Sequence, residues 1–368
     1  MNGYFDHNAT TSLHPAAREA WLRASEKHWH NPSSLYLDAG IVSQRLEAAR
    51  ERLGTLIGVE AERIVFTSGA TESNNALMAA FAPVAISAIE HPSVRMPSRS
   101  ALDLPVNADG VVEPDAVKAL ITAKRPALVS VMAANNESGA LQPWREIAAL
   151  CREHEVLFHT DAAQWIGKLD ATNLGECDFI TGSAHKFGGP KGCGFLVLPA
   201  EDSRLHFMRG GPQESGRRAG TENYPAVEAM VTTLEMITPH LGEIEINQSR
   251  RRDDFIAAMR SRFDGLRVIS EAAPRLWNTV LMVMPAHHNL KWLTALSRRG
   301  FSISTGSACS SGKEGSSVVV TALGASADEL KRVVRVSGGW ETTAADWQAL
   351  AAAFDEVWHE LNQGGRPQ

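Results

Sequence analysis

The sequence predicts an α/β fold with two parts: a large domain whose mostly parallel, seven-stranded-type sheet is flanked by helices, and a smaller α+β domain at the C-terminal end. Two observations support this prediction. Short apolar runs alternate with helical patterns through the first half of the chain, which is typical of parallel strands joined by crossover helices. A long helical stretch at about 226–262 then leaves the sheet, and further strands and helices follow it. We place the large domain at 14–243 and the small domain at 1–13 and 244–368.

The individual elements follow from local patterns in chain order. At 43–58, Leu46, Ala49 and Leu53 recur at helical spacing, and Gly58 ends the predicted helix. Further helical patterns lie around 115–121 and 144–154. The candidate strands of the large domain are RIVF, PVAISAI, PALVSVM, EVLFHTD, DFITGS and GFLVLP. The small domain contains LRVISE, NTVLMVM, the helix NLKWLTALSRRG, FSIST and a final helix at 344–363.

Composition excludes several classes of protein. The 368 residues carry a formal charge of −6, with 44% hydrophobic and 21% charged residues, which is ordinary for a globular protein and gives no basic surface for nucleic acid. The first residues lack the apolar core of a signal peptide, and no apolar run reaches a membrane-spanning length, so we expect a cytoplasmic protein without a membrane partner. The four cysteines show no C-x-x-C spacing, and no metal site is predicted.

Polar or small residues follow five of the predicted strands. These strand ends are TSG, EH, NNE, HTD and TGSAHK. In open α/β sheets, ligands bind at the carboxyl ends of strands, so the five ends together predict one shared site. For any one of them alone, an ordinary polar strand end is the better explanation.

Three of these strand ends carry the groups that pyridoxal 5′-phosphate requires. Lys186 supplies an amine for the cofactor aldehyde, Asp161 an acid for the pyridine nitrogen, and Thr71 lies at a helix N-terminus that suits a phosphate. His91 is a ring that can lie over the pyridine. Taken singly, Lys186 is a solvent-facing lysine, Asp161 a helix cap and His91 a hydrogen-bonded histidine at the start of a loop.

Ten motifs in order, from Tyr4 to about Gly339, resemble those of the NifS/IscS-type cysteine desulfurases, in the class V group of fold-type I pyridoxal-phosphate enzymes. The motifs are YFDHNATT, HNPSS, FTSGATESNN, EHPSV, NNESGALQP, HTDAAQ, SAHKFGGPKG, RRAGTEN, STGSACSSG and RVSGG. The resemblance implies the fold, the cofactor and the reaction of that family, on a homodimer with shared sites.

The resemblance also implies roles for individual residues. Lys186 is the lysine that bonds to the cofactor, Asp161 the partner of the pyridinium, and His91 a stacking ring that also moves protons. The further cofactor-binding residues that it implies are Ala70, Thr71, Ser183 and His185 at the phosphate, Asn136 and Gln164 at the phenolic oxygen, and Thr221 reaching the phosphate of the neighbouring subunit. Arg335 corresponds to the arginine that binds the substrate carboxylate, assisted by Asn31.

Cys309 decides which reaction is expected. It lies in TGSACSSGKEG, a loop of small residues without an apolar pattern, where a reactive thiol fits better than a packed one. The other cysteines, Cys151, Cys177 and Cys193, lie in or beside apolar stretches and are expected to be buried. The resemblance makes Cys309 the nucleophile that becomes a persulfide, and a transient iron–sulfur ligand is a further role that it allows.

The expected reaction converts L-cysteine to L-alanine and passes the sulfur from Cys309 to an unidentified acceptor protein, for iron–sulfur cluster or thio-cofactor biosynthesis. Selenocysteine lyase activity would use the same residues. Another class V aminotransferase reaction would not need Cys309, and a non-catalytic relative would not need the filled chemical positions. The chain also departs from the family: the segment at 76–102 is short, and Trp340 follows RVSGG, where many relatives carry a smaller or basic residue.

Overall fold

A seven-stranded sheet forms the centre of the larger part of the protein. The structure is a computed structural model that describes residues 3–199, 205–306 and 317–363. The strands are β1 Ile64–Thr67, β2 Val84–Ser87, β3 Ala101–Leu104, β4 Leu128–Ser130, β5 Leu157–Asp161, β6 Phe179–Ser183 and β7 Gly194–Val197, in the spatial order β1-β7-β6-β5-β4-β2-β3. Strand β7 runs antiparallel to both neighbours and the other pairs are parallel. The predicted fold class, with its mostly parallel seven-stranded sheet, is therefore confirmed.

Six strands match the predicted apolar runs, and the seventh, β3, was not among them. It begins at the end of the short segment at 76–102, and three of its four residues are exposed or half-buried. An edge strand of this kind pairs on one side only, so its sequence, ALDL, lacks the continuous apolar run of the buried parallel strands.

Helices cover both faces of this sheet. They are α1 Pro15–Lys27, α2 Leu37–Ile57, α3 Ala70–Ala80, α4 Pro92–Arg95, α5 Pro114–Lys124, α6 Trp144–Glu153 and α7 Tyr224–Ile237. Helix α2 begins earlier than the predicted 43 and ends at Gly58, which has a φ of 70°. A Cβ at this position would lie 1.8 Å from the carbonyl oxygen of Thr172, so only glycine fits.

The helical stretch predicted at 226–262 is divided into two helices. Helix α7 ends at Ile237, a short 3₁₀ turn covers Thr238–His240, and α8 runs over Leu241–Arg262. Pro239 lies in the turn and has no backbone N–H to donate, so the hydrogen bonding of α7 cannot continue through it.

An antiparallel three-stranded sheet forms the smaller part. Its strands are β8 Arg267–Val268, β9 Thr279–Val283 and β10 Val333–Ser337, in the order β10-β9-β8. The remaining helices are α9 Asn289–Arg298, α10 Val318–Ala322, α11 Ala327–Leu330 and α12 Ala344–Gln363. The predicted strand FSIST forms only isolated bridges, from Ser302 and Ser304.

The N-terminal segment belongs to the smaller part by its contacts. Phe5 is fully buried in the core that also contains Trp292, Trp347 and Phe354. Its backbone oxygen accepts a hydrogen bond from the N–H of Ser337 at 2.8 Å, which attaches the segment to β10. The domain limits of 14–243 and of 1–13 with 244–368 stay a prediction.

A buried ion pair fixes the segment after residue 205 to the large sheet. Both side-chain oxygens of Glu214 accept hydrogen bonds from Arg50 on α2, at 2.8 and 3.0 Å. One of them also accepts from the N–H of Phe66 on β1, at 2.9 Å. Arg50 and Glu214 are each less than a tenth exposed, so neither charge has water to replace its partner. None of the helices in the described part of the chain combines the length and apolar character that a bilayer crossing requires.

Candidate active site

The ends of the central strands meet at a cavity of about 830 Å³. This volume is in the range of small-molecule sites. Ten of the residues that the sequence singled out line it: Ala70, Thr71, His91, Asn136, Asp161, Gln164, Ser183, His185, Lys186 and Arg335. The expectation of one shared site at the carboxyl ends of the strands agrees with this arrangement.

Lys186 follows β6 directly, in a 3₁₀ turn at Ala184–Lys186. Its side chain is not solvent-facing, because Nζ donates hydrogen bonds to the carbonyl oxygens of Asn8 at 2.7 Å and Ala9 at 2.9 Å. The glycines that follow are needed for close packing. A Cβ on Gly188 would lie 2.6 Å from the ring of Trp340, so the unusual tryptophan noted in the sequence packs against the lysine turn.

Asp161 is the last residue of β5, and it is only 6% exposed. Its Oδ2 accepts a hydrogen bond from Asn74 Nδ2 at 2.8 Å, and its Oδ1 accepts from the N–H of Ala163 at 3.0 Å. The second bond closes a turn and is not a helix cap, because no helix begins here, while the first holds the carboxylate in one orientation at the cavity. An oriented, buried carboxylate can stabilise a proton on a heteroaromatic nitrogen.

A chain of hydrogen bonds connects Asp161 to His91. Asn74 Nδ2 also donates to Ser93 Oγ at 2.9 Å, and Ser93 Oγ lies 2.8 Å from His91 Nδ1. Burial lowers the pKa of His91, Asp161 opposes this effect and Lys186 adds to it. His91 also caps α4, since its Nδ1 accepts from the N–H of Ser93 at 3.1 Å. It is therefore both a hydrogen-bonded loop histidine and a cavity residue.

The opposite part of the cavity is suited to an anion. Ala70 and Thr71 form the first turn of α3, where the backbone N–H groups have no partner within the helix. Ser183 and His185 lie beside them in the lining. Burial lowers the pKa of His185 to about 4, with Lys186 and Lys191 acting in the same direction, so its ring is neutral at pH 7.

Arg335 reaches the cavity from β10 of the small sheet and is 1% exposed. Its Nη2 donates to Asp6 Oδ1 at 2.5 Å, and its Nη1 donates to the carbonyl oxygens of Asn136 at 2.9 Å and Gly306 at 3.3 Å. Its Nε is buried and has no hydrogen-bond partner among the described residues. Arg335 therefore brings a guanidinium group to the lining of the cavity, where it would attract an anionic ligand.

Glu90 is a buried carboxyl that the sequence motif EHPSV contained without a role. It lines the cavity and is 3% exposed. Its Oε1 accepts hydrogen bonds from Ser87 Oγ and from the N–H of Met132, both at 2.6 Å, while Oε2 has no partner among the described residues. Burial raises the pKa of Glu90 to about 8, and Asp161 contributes to the increase.

Of the remaining predicted site residues, two do not line this cavity and one cannot be placed relative to it. Asn31 and Thr221 are exposed and line no part of it. Cys309 lies outside the described residues, although Gly306 on one side and Val318 on the other side of that stretch both line the cavity. The three remaining cysteines are buried, as expected. Burial raises the pKa of Cys151 and of Cys193 to about 12, so neither is a thiolate at pH 7.

Comparison with known proteins identifies the family. The family described as "Aminotransferase class-V" matches residues 3–350. The chain belongs to this class-V aminotransferase family. It is 32% identical to the cysteine desulfurase IscS of Dictyoglomus turgidum, over 97% of this chain and 95% of the relative. It is also 35% identical to a cysteine desulfurase of Rhodobacter capsulatus, over 97% of each protein. The predicted resemblance to this group is thus confirmed.

Solved structures of similar proteins support the same family. A NifS-like protein from Rickettsia africae superimposes with a TM-score of 0.90 at 29% identity, covering 98% of this chain and all of that protein. SspA in complex with cysteine superimposes with a TM-score of 0.79 at 28% identity, over 91% and 98% of the two chains. The family implies a pyridoxal-phosphate-dependent enzyme. The cavity fits this group, because a lysine amine, an oriented carboxylate and a helix N-terminus all face it.

Proposed function

We propose that the protein is a pyridoxal 5′-phosphate-dependent cysteine desulfurase. It converts L-cysteine to L-alanine and carries the sulfur as a persulfide on Cys309. The observation that supports this most strongly is that Lys186, Asp161 and Arg335 line one cavity. Gly306 and Val318, which flank the stretch that contains Cys309, line the same cavity.

The cofactor would be held by residues from four strand ends. Lys186 would bond to its aldehyde, Asp161 would pair with the ring nitrogen, and the phosphate would lie at the N-terminus of α3 with Ser183 and His185. Asn136 and Gln164 would face the phenolic oxygen. When bound, the cofactor supplies an electron sink for the α-carbon of an amino acid.

Arg335 would bind the substrate carboxylate with its guanidinium group, in the bidentate geometry that arginine favours. The amine of Lys186, once released, would remove the proton from the substrate α-carbon. The Cys309 thiolate would then attack the substrate sulfur. A sulfur–sulfur bond forms, the bond from sulfur to the β-carbon breaks, and the β-carbon takes up a proton to give alanine.

The names of the relatives favour cysteine over the alternative substrates. Each relative cited above is named a cysteine desulfurase or a NifS-like protein, except for SspA, which was solved with cysteine bound. Selenocysteine lyase activity would use the same side chains and is the second candidate. The acceptor of the sulfur is proposed to be a protein of iron–sulfur cluster or thio-cofactor biosynthesis.

We further propose a homodimer in which Thr221 reaches the phosphate site of the partner subunit, and Asn31 lies at the same interface. Both residues are exposed in the single chain. Their segments lie side by side, because Gln213 Nε2 donates to Ser33 Oγ at 3.3 Å and Gln213 Oε1 accepts from the N–H of Gly220 at 3.2 Å. Four large apolar side chains beside Asn31 are also exposed, namely Trp29, Leu35, Tyr36 and Leu37. A patch of this kind is typical of an interface.

The proposed function is tested by mass spectrometry of the purified protein after incubation with L-cysteine. One added sulfur is expected on the Cys309 peptide and none on the peptides of Cys151, Cys177 and Cys193. With a reductant, sulfide and alanine should form in equal amounts, and Cys309→Ser should abolish this release. Sulfide release that survives in Cys309→Ser contradicts the role of that thiol. A wild-type protein that stays colourless with excess cofactor contradicts the whole proposal.

A further inference from the structure

Lys168 is a buried lysine next to the cavity that neither the sequence patterns nor the proposed function uses. It lies past the end of β5 and is only 4% exposed. Trp277 Nε1 donates to its backbone oxygen at 2.9 Å, which fixes the turn. Its amine donates to two amide oxygens, Asn8 Oδ1 at 3.1 Å and Gln164 Oε1, and no ion pair joins it to a carboxylate in the described residues. A buried lysine with only neutral partners requires an explanation.

The surroundings of Lys168 favour its neutral form. Burial lowers the pKa of Lys168 well below its ordinary value, and the cations Lys186 and Arg335 lower it further. The remaining titratable neighbour, His7, is itself uncharged at pH 7, because burial lowers its pKa to about 4 and Lys168 acts in the same direction. A neutral amine has two N–H donors, which matches the two amide oxygens that accept from it.

Both acceptors of Lys168 belong to the floor of the cavity. The carbonyl oxygen of Asn8 accepts hydrogen bonds from Lys186 Nζ at 2.7 Å and from Gln164 Nε2 at 2.9 Å. The side-chain Nδ2 of Asn8 donates to the carbonyl oxygen of Asn136 at 3.1 Å. The same oxygen of Asn136 accepts from Arg335. Asn8 therefore connects the lysine end of the cavity to the arginine end.

Lys168 supports one orientation of the Gln164 amide. In this orientation Gln164 Nε2 donates to the carbonyl oxygen of Asn8, which can only accept, and Gln164 Oε1 accepts from Lys168. A reversed Gln164 would place its amide oxygen against the carbonyl oxygen of Asn8. The side chain of Asn8 has a similar contact, since its Oδ1 accepts from both Lys168 and Asn278. One buried amine thus donates a hydrogen bond to each of two cavity amides.

We propose that Lys168 is a positioning residue, which donates to Asn8 and Gln164 and so holds them in the orientation that places Lys186 and faces the cofactor. This inference rests on the proposed function, because it assigns Lys168 to the same site. It adds a requirement that is absent from the catalytic motifs: a buried donor that contacts both amides.

The test compares Lys168→Met with Trp277→Phe in the cofactor-loaded protein. Lys168→Met keeps an unbranched chain and removes the donors, while Trp277→Phe disturbs the same turn and leaves both amides untouched. For Lys168→Met we expect kcat to fall at least about tenfold with KM within about threefold, since a positioned group loses a buried hydrogen-bond partner. The pH midpoint of the visible absorption of the bound cofactor should shift by about half a unit or more. Trp277→Phe should keep the wild-type kcat and midpoint, even if its unfolding temperature falls.

Two outcomes overturn the inference. One is a Lys168→Met protein with wild-type kcat and absorption midpoint, and the other is a Trp277→Phe protein with the same losses as Lys168→Met. If Lys168→Met does not fold, Lys168→Gln replaces it. Because this variant keeps an N–H donor, we expect a partial loss of kcat and a partial shift of the absorption midpoint. Wild-type values of kcat and of the midpoint would again overturn the inference. A wild-type protein that makes alanine and sulfide keeps the proposed function in place whatever Lys168 does.

Discussion

Glu90 should make the protein less stable as the pH rises, and Glu90→Gln should remove this effect. The folded protein keeps the carboxyl protonated, because burial raises its pKa to about 8, while the unfolded chain ionises near the ordinary value of 4.5. Between these two values the folded state binds more protons than the unfolded state. The free energy of unfolding must therefore decrease as the pH rises through this window.

The size of the effect follows from the width of the window. Each pH unit is worth about 1.4 kcal/mol, so the step from about pH 5 to about pH 7.5 should cost about 3 kcal/mol once partial ionisation at both limits is included. A glutamine at this position has no ionisable group. Its Oε1 can accept from Ser87 and from the N–H of Met132 as the carboxyl does, so the surrounding structure should persist.

The assay is urea unfolding of wild type and Glu90→Gln at both pH values, with protein and cofactor concentrations fixed. The quantity to compare is the change with pH in the free-energy difference between the two proteins. Contributions that do not depend on pH, such as an unpaired amide NH₂ group in the variant, cancel in this comparison. We expect Glu90→Gln to gain about 3 kcal/mol relative to wild type between the lower and the higher pH. A gain below about 1 kcal/mol would mean that Glu90 is ionised in the folded protein, and it would refute the reasoning.

Three further predictions concern the substrate, the dimer and the fold. Arg335→Lys should raise KM for L-cysteine at least about tenfold in steady-state kinetics, because an ammonium cannot form the bidentate contact, and an unchanged KM would argue against carboxylate binding at this position. If Thr221 serves the partner's site, a mixed dimer of one Lys186→Ala subunit and one Thr221→Ala subunit contains one intact site. Co-expression of the two variants should therefore give more activity than the mean of the two homodimers. Activity equal to that mean would place Thr221 in the site of its own subunit. Arg50→Met should destabilise the protein by about 3–5 kcal/mol in denaturant unfolding, because it leaves Glu214 charged and buried. Adding Glu214→Gln to this variant should recover part of the lost stability. Equal stability of Arg50→Met and wild type would show that the ion pair contributes nothing.

Local sequence patterns were sufficient for most of the fold. The buried parallel strands are continuous apolar runs, and the final helix was predicted at 344–363, as the structure has it. The elements that failed have local causes. Strand β3 lies at the open edge of the large sheet, and its partly exposed sequence contains no continuous apolar run. Pro239 interrupts the helical pattern at 226–262, although the apolar spacing continues on both sides of it. The first failure could not be avoided from periodicity alone, whereas the proline was visible.

The candidate site was predictable where its residues stand at strand ends, and it was not where contacts join distant segments. Lys186 and Asp161 directly follow apolar runs, so their position at one edge of the sheet could be inferred from the sequence. Asn8 contacts Lys186 across 178 positions of the chain, and no spacing rule expresses such a contact. Lys168 follows no motif, and only the burial of its amine between two amide oxygens distinguishes it from a surface lysine.

The charges around the cavity act on the buried amine of Lys168. Asp6 pairs with Arg335, and Asp161 accepts hydrogen bonds from Asn74 and Ala163. Burial lowers the pKa of Lys168, and the nearby positive charge of Arg335 lowers it further. An anionic substrate at Arg335 would screen that charge and raise the pKa of Lys168 again. Substrate binding should therefore be coupled to the protonation of this amine.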